Sequence, residues 1–263
     1  MDTSPAPPLV RSDDADGIRT ITLSNPAARN ALSGPMMNAL ETAIGAAGTD
    51  PAVRVIVLAA DGPAFCAGHD LKEMRANPDP AFHESLMARC VSLMTGIVRC
   101  PKPVIARVHA IATAAGCQLV ASCDLAVAAE EAHFATPGVN IGLFCSTPMV
   151  ALSRNLSRKH AMELLLGGEM IDAATAWRMG LVNRVVPATE LDATVRSMAA
   201  KIAAKSSHTL AIGKEAFYRQ AEMPLDEAYR YAASVMVRNL QAEDAREGID
   251  AFLQKRTPCW QDR

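Results

Sequence analysis

Aromatic residues are scarce, at 4% of the 263 residues. Any core built from this chain is therefore aliphatic, filled by Ala, Val, Leu, Ile and Met. A dominant charge is also missing. Lys and Arg number 26 against 28 Asp and Glu, for a net charge of −2 and a pI of about 6.3. No Lys/Arg block supplies the basic face that a general nucleic-acid footprint needs, so no nucleic-acid partner is expected. No stretch is apolar enough to span a membrane, so no membrane partner is expected either. There is no C-x-x-C pair. The seven cysteines (Cys66, Cys90, Cys100, Cys117, Cys123, Cys145 and Cys259) are scattered and odd in number, which argues against a disulfide framework and against a zinc or other metal site. They read as small buried hydrophobes in a reducing compartment. Met1 to Pro8 is acidic and Pro-rich. It lacks the basic start and apolar run of a signal peptide and the Arg-rich pattern of a transit peptide. The expectation is a disordered tail over residues 1–10 on a soluble, cytoplasmic protein.

Half the residues are apolar and the mean hydropathy is +0.09, enough to bury a sizeable core. Gly17–Leu23 alternates as a half-buried strand does. Ser33-Gly34-Pro35 opens a helix that Gly48 closes. Val53–Ala60, Pro103–Val108 and Leu125–Ala128 are continuous apolar runs, the signature of strands covered on both faces. A helix follows from Thr113 to about Ser122, and His133–Ala135 is a short strand. Thr147-Pro148 predicts a helix start, Ser157 begins a helix that runs to Gly167, Asp172 caps Ala173–Met179, and Val182–Val186 reads as a strand. Long amphipathic helices follow over 189–204, 207–222, 225–242 and 244–254. Strands alternating with helices predict an α/β core over 11–200. The helical region over 201–263 predicts packing against further copies.

Two segments carry candidate chemistry. In Ala64–Met74 a strand ends, small residues turn and a helix begins, with Asp70 and Glu73 at capping-box spacing. The N–H groups around Gly68 and His69 then face outward, as donors for a developing negative charge. In His109–Gln118 a buried strand again enters a helix through tiny side chains, which let a ligand approach the backbone. Each segment alone also fits ordinary helix–sheet packing. Together, two such turns converging on one oxygen would polarise a carbonyl and stabilise an enolate or a tetrahedral oxyanion.

The pair Phe65–Met74 and Ala112–Leu119 resembles the two oxyanion-hole segments of the crotonase (enoyl-CoA hydratase/isomerase) superfamily. Asn25-Pro26 with Arg29-Asn30-Ala31-Leu32, Ser122-Cys123-Asp124, Phe134-Ala135-Thr136-Pro137, Gly180–Pro187 and Ala251–Arg256 extend the resemblance over nearly the whole chain, in the family's order. Ala112–Asp124, Phe134–Asn140 and Gly142–Pro148 resemble one subgroup, that of enoyl-CoA hydratase domain-containing protein three.

The resemblance implies a crotonase-like spiral of ββα units with a C-terminal helical oligomerisation region, assembled as a homotrimer or a dimer of trimers. It implies acyl-CoA thioester substrates, with no permanently bound cofactor and coenzyme A as part of the substrate. By position, the oxyanion donors are the N–H groups of His69 and Ala115, the latter standing where the family usually has Gly. The substrate contacts it implies are Ala28, Arg29, Ala31, Ala67, Gly68, Asp70, Leu71, Lys72, Ala114, Gly116, Pro137 and Ser146, with Phe252 and Lys255 reaching in from a neighbouring subunit.

The chain departs from the family's pattern at the two catalytic glutamates, where it has Gln118 and Gly138. An amide orients water or a carbonyl but takes no proton at neutral pH. A positioned acid or base is typically worth 10²–10⁴-fold, so the departure predicts weak hydratase activity. Cys145, Ser146 and Thr147 fall where some members place a third catalytic side chain. The readings left open are a hydratase, isomerase or thioester hydrolase on the one hand and a non-catalytic acyl-CoA-binding protein on the other. Asp124 and His109 read as structural.

Overall fold

The computed structural model describes residues 7–263. Most of the expected N-terminal tail lies outside the described residues. Its end does not behave as a tail, since Leu9 O accepts from Ser24 N at 2.8 Å and Val10 pairs with Leu23.

The chain runs as β1 (Val10–Ala15), β2 (Ile18–Leu23), α1 (Gly34–Thr49), β3 (Val55–Ala60), β4 (Ala64–Cys66), α2 (Leu71–Ala76) and α3 (Pro80–Arg99). It continues with β5 (Val104–Val108), β6 (Ile111–Thr113), α4 (Ala115–Ser122), β7 (Leu125–Ala129), β8 (His133–Ala135), α5 (Ser146–Asn155) and α6 (Arg158–Gly167). Then come β9 (Ile171–Asp172), α7 (Ala173–Met179), β10 (Arg184–Val186), α8 (Ala188–Ala203), α9 (Ser207–Gln220), α10 (Leu225–Leu240) and α11 (Glu243–Leu253).

The strands form two sheets. The larger has the order β1-β2-β3-β5-β7-β10, parallel except for the β1–β2 hairpin; the smaller is β4-β6-β8-β9. Each repeat gives one strand to each sheet. β3 passes to β4, β5 to β6 and β7 to β8, and a helix returns the chain to the start of the next repeat. This is the expected ββα spiral. The continuous apolar runs follow from it, because alternate residues of one strand face opposite layers. Val55, Val57, Ile105 and Val127 meet Leu191, Val195 and Ala199 of α8. Ile56, Leu58, Val104 and Ala106 meet the layer that includes Met37 and Leu40 of α1. Each fully buried Val, Leu or Ile contributes about 1.5–3 kcal/mol.

Several local expectations need correction. Residues 80–99, given no element from sequence, form the 20-residue helix α3. Asp79 caps it, and Leu86, Cys90, Leu93, Met94 and Ile97 make its buried stripe. Helix α5 starts at Ser146, ahead of Thr147-Pro148, with Cys145 at its cap position. Asp70 caps α2 by accepting from Lys72 N and Glu73 N. Glu73 does not complete a capping box; its carboxylate accepts from Gly34 N at 3.0 Å and so holds the start of α1. All seven cysteines are free and six are buried. Asp124 is structural: it accepts from Val104 N (2.7 Å), Lys214 Nζ (2.7 Å) and Tyr218 OH (2.9 Å), and thereby ties α9 to the core.

Candidate active site

β4 and β6 are parallel neighbours, so the turns that leave them lie side by side. Gly68, at φ +91°, makes the first turn, a left-handed conformation natural to glycine. A methyl group placed on Gly68 would lie 2.9 Å from the Ala114 methyl and 3.3 Å from Ala115 N. Gly116 packs so tightly on β4 that a methyl there would sit 2.1 Å from Cys66 O. Thr113 Oγ1 donates to Ala67 O at 3.1 Å and closes the pair of turns.

The N–H groups of these turns are unequally used. Ala114 N donates to Ala135 O at 2.9 Å. Among the described residues, the N–H groups of His69 and Ala115 donate to no backbone acceptor in the protein. Ala115 is the first residue of α4 and its N–H has no partner one turn back, as at any helix start. The alanine keeps its helical backbone there. The strained residue is its neighbour Ala114, at φ 50° and ψ −120°.

The segment of Ala28, Arg29 and Ala31, implied as substrate contacts, lies against the first turn. Leu32 N donates to Gly68 O (2.7 Å) and Ala67 N to Arg29 O (3.1 Å). Buried Asn30 shapes this segment by donating to Asp61 O and Ala64 O and accepting from Asn25 N. The fold therefore brings Ala28, Arg29 and Ala31 together with Ala67, Gly68, Asp70, Leu71 and Lys72. Leu71 and Lys72 are exposed. Phe252 and Lys255 lie at the exposed end of the C-terminal helices, where α11 packs on α9 and α10.

The His69 side chain turns away from the gap between the turns. Its Nδ1 lies 3.4 Å from Leu32 O, while Nε2 is buried without a partner. Burial lowers its pKa, so the ring is neutral at pH 7. Only the backbone of His69 is offered outward.

Gln118 is buried on α4, three residues past Ala115 and on the same face. Its Oε1 accepts from Cys90 Sγ at 3.8 Å. Gly138, beside Pro137 in a 3-10 turn, is not a vacant position. A methyl there would meet Leu143 O at 2.4 Å and Cys145 Sγ at 2.9 Å. The loop before α5 has filled that space, with Leu143 O and the Cys145 sulfur packed on Gly138. Burial raises the Cys145 pKa and keeps it a thiol. Ser146 is exposed and its hydroxyl donates to Phe144 O. An open depression of about 580 Å³ elsewhere, walled by Ile18, Thr20, Val57, His109 and the Arg107–Asp192 ion pair, contains neither candidate amide.

The place of Cys90 behind Gln118 and the packing of residues 143–145 on Gly138 escaped the sequence reading, although Cys145 itself was a candidate. Cys90 sits on the unread helix α3, whose Leu86-Cys90-Leu93-Ile97 spacing was the available signal. Nothing local in the sequence marks the loop's approach to Gly138.

Residues 13–263 match the family model described as enoyl-CoA hydratase/isomerase. Enoyl-CoA hydratase domain-containing protein 3, mitochondrial, of Xenopus laevis is 48% identical over 96% of this chain and 86% of its own length. Its Homo sapiens counterpart is 47% identical over 98% and 85%. Among solved structures, an enoyl-CoA hydratase of Mycobacterium smegmatis superposes with a TM-score of 0.94 at 54% identity, covering 97% of this chain and 99% of that one. Human enoyl-CoA hydratase domain-containing protein 3 superposes with a TM-score of 0.93 at 47% identity, covering 96% and 100%. The subgroup resemblance is borne out. The expected cytoplasmic location is not: the relatives from Xenopus laevis, Rattus norvegicus, Mus musculus, Homo sapiens and Danio rerio are all named mitochondrial. That expectation rested on the first few residues alone, and targeting is a property separate from the folded domain. On these matches and this fold, the chain belongs to the enoyl-CoA hydratase/isomerase (crotonase) family.

Proposed function

We propose that this chain binds acyl-CoA thioesters and polarises the thioester carbonyl between the N–H groups of His69 and Ala115, stabilising an enolate at Cα. The observation that carries this is the abutment of two turns whose His69 and Ala115 amides donate to no backbone group among the described residues. Such donors, fixed before the ligand arrives, act on developing oxyanion charge without reorganisation. Ala67, Gly68, Ala114 and Gly116 keep the walls small enough for the thioester to reach the backbone. Ala28, Arg29, Ala31, Leu71 and Lys72 receive the CoA portion. Pro137 and Ser146 border the acyl end, and Phe252 and Lys255 act from a neighbouring subunit of a homotrimer or dimer of trimers. Gln118 and Gly138 replace two carboxylates, so hydration is slow; isomerisation or thioester hydrolysis at the polarised carbonyl requires a proton acceptor other than these two residues.

A second reading, a non-catalytic acyl-CoA-binding protein, is favoured by one observation: the loop at 143–145 fills the space beside Gly138. Calorimetry with butyryl-CoA and crotonyl-CoA, followed by mass spectrometry of overnight mixtures, decides between them. Binding with product supports the enzyme, and binding without product supports the second reading. No binding of either thioester ends both.

A further inference from the structure

The orientation of the Gln118 amide is fixed by what lies behind it. Cys90 is fully buried, and its Sγ donates to Gln118 Oε1 at 3.8 Å. Burial pushes the Cys90 pKa up to about 11, so the thiol keeps its proton. Turning the amide over would exchange this S–H···O contact for N–H groups facing a protonated sulfur, a weak acceptor. It would also strand the thiol proton without an acceptor. Nε2 is thus set on the opposite side. It makes no side-chain hydrogen bond among the described residues, and it is not among the fully enclosed unpartnered atoms. Helical side chains lean toward the helix N-terminus, which here carries the free Ala115 N–H. Three residues of helix rise about 4.5 Å, a span of the order of that between the two oxygens of a 1,3-dicarbonyl.

We propose that the site selects thioesters with a neutral acceptor oxygen on C3, that is 3-oxoacyl-CoA, which Gln118 binds through Nε2, with Cys90 as the residue that positions the amide. This deepens the acyl-CoA reading above and rests on it. A carboxylate at Gln118's position in the family would repel such an oxygen, whereas an oriented amide N–H rewards it. Plain enoyl and saturated chains leave the donor unpaired, which costs binding. Neither Cys90 nor Gln118 carries a charge, so a neutral ketone is favoured over the carboxylate of a malonyl thioester, whose burial would need a cation.

The test is calorimetry on the full chain with acetoacetyl-, butyryl-, crotonyl- and malonyl-CoA. Acetoacetyl-CoA is expected to bind about tenfold tighter than butyryl-CoA. Gln118→Met is expected to bring the two within about twofold, by weakening acetoacetyl-CoA and by sparing butyryl-CoA the unpaired donor. Cys90→Ala should lower the acetoacetyl-to-butyryl ratio and Cys90→Ser should keep it. That ratio would not move if Cys90 served packing alone. Equal affinities in the unaltered protein, a preference that survives Gln118→Met, or tightest binding of malonyl-CoA would overturn the inference while leaving the acyl-CoA reading in place. If no thioester binds, both fall.

Discussion

Ala114 holds a backbone conformation that costs an L-residue about 1–3 kcal/mol, because its N–H must reach Ala135 O while Ala115 opens the helix. Glycine would adopt it freely. Ala114→Gly is therefore expected to stabilise the protein by about 1 kcal/mol in urea unfolding, and a loss of that size would show the turn to be relaxed as it stands. Gly138 teaches the opposite. From sequence it reads as a deleted glutamate, and refilling it suggests itself. The structure closes that route, since any side chain there meets Leu143 O. Gln118→Glu combined with Gly138→Glu is expected to give no gain in crotonyl-CoA hydration and to lose roughly 1–3 kcal/mol of stability through overpacking. A hydrating, stable double variant would mean that the loop yields. His69 adds a pH signature. Its folded pKa is lowered from 6.5 by burial, so the unfolded chain binds the extra proton first and stability falls as pH drops below about 6.5. His69→Asn should flatten that part of the stability–pH profile, and an unchanged slope would exonerate the imidazole. These residue-scale facts were only half legible. The motif positions pointed to the His69 and Ala115 amides as candidates, but whether Gly138 was empty or filled depended on a loop with no local signature.

At the scale of elements, Asp124 is the joint between the spiral and the C-terminal helices. Lys214 of α9 reaches into the core and donates to Ile97 O, Lys102 O and Asp124, with its side chain 8% exposed. Removing the carboxylate leaves a mostly buried ammonium without its counterion, a change that costs about 3 kcal/mol. Asp124→Ala is expected to lower stability by that amount and to speed amide exchange in α9 more than in α1. Equal acceleration in both helices would show that the clamp holds nothing in particular. The elements themselves were readable wherever an apolar pattern met a cap: Ser33 and Asp172 cap α1 and α7 as their sequence context predicts. Helix α3 was missed although Asp79-Pro80 and its apolar stripe mark it. The pairing of strands across two sheets is a non-local property that periodicity does not encode. It came only through the family resemblance.

For the whole molecule, the surface is the anomaly. The chain exposes 14225 Å², whereas a compact monomer of its mass exposes roughly 11,000 Å². Much of the exposed apolar surface sits on the last helices. Leu225 and Tyr229 are each 71% exposed, Phe252 82% and Leu253 72%. Side chains of this kind are tolerated singly in water, but a run of them along α10 and α11 is the signature of a covered face. A second copy is the natural cover, because homo-oligomers bury the same patch on every subunit. The family resemblance implies three or six copies, so light scattering after size exclusion should give a mass three or six times 27.9 kDa. Tyr229→Asp with Phe252→Asp should move that mass toward the single chain. The consequence reaches the site. If Phe252 and Lys255 act on a neighbour's bound CoA, the separated chains should bind butyryl-CoA more weakly although every residue of the two turns is intact. Full affinity in a monomeric variant would confine the site to one chain, and a single-chain mass for the unaltered protein would remove the oligomer altogether.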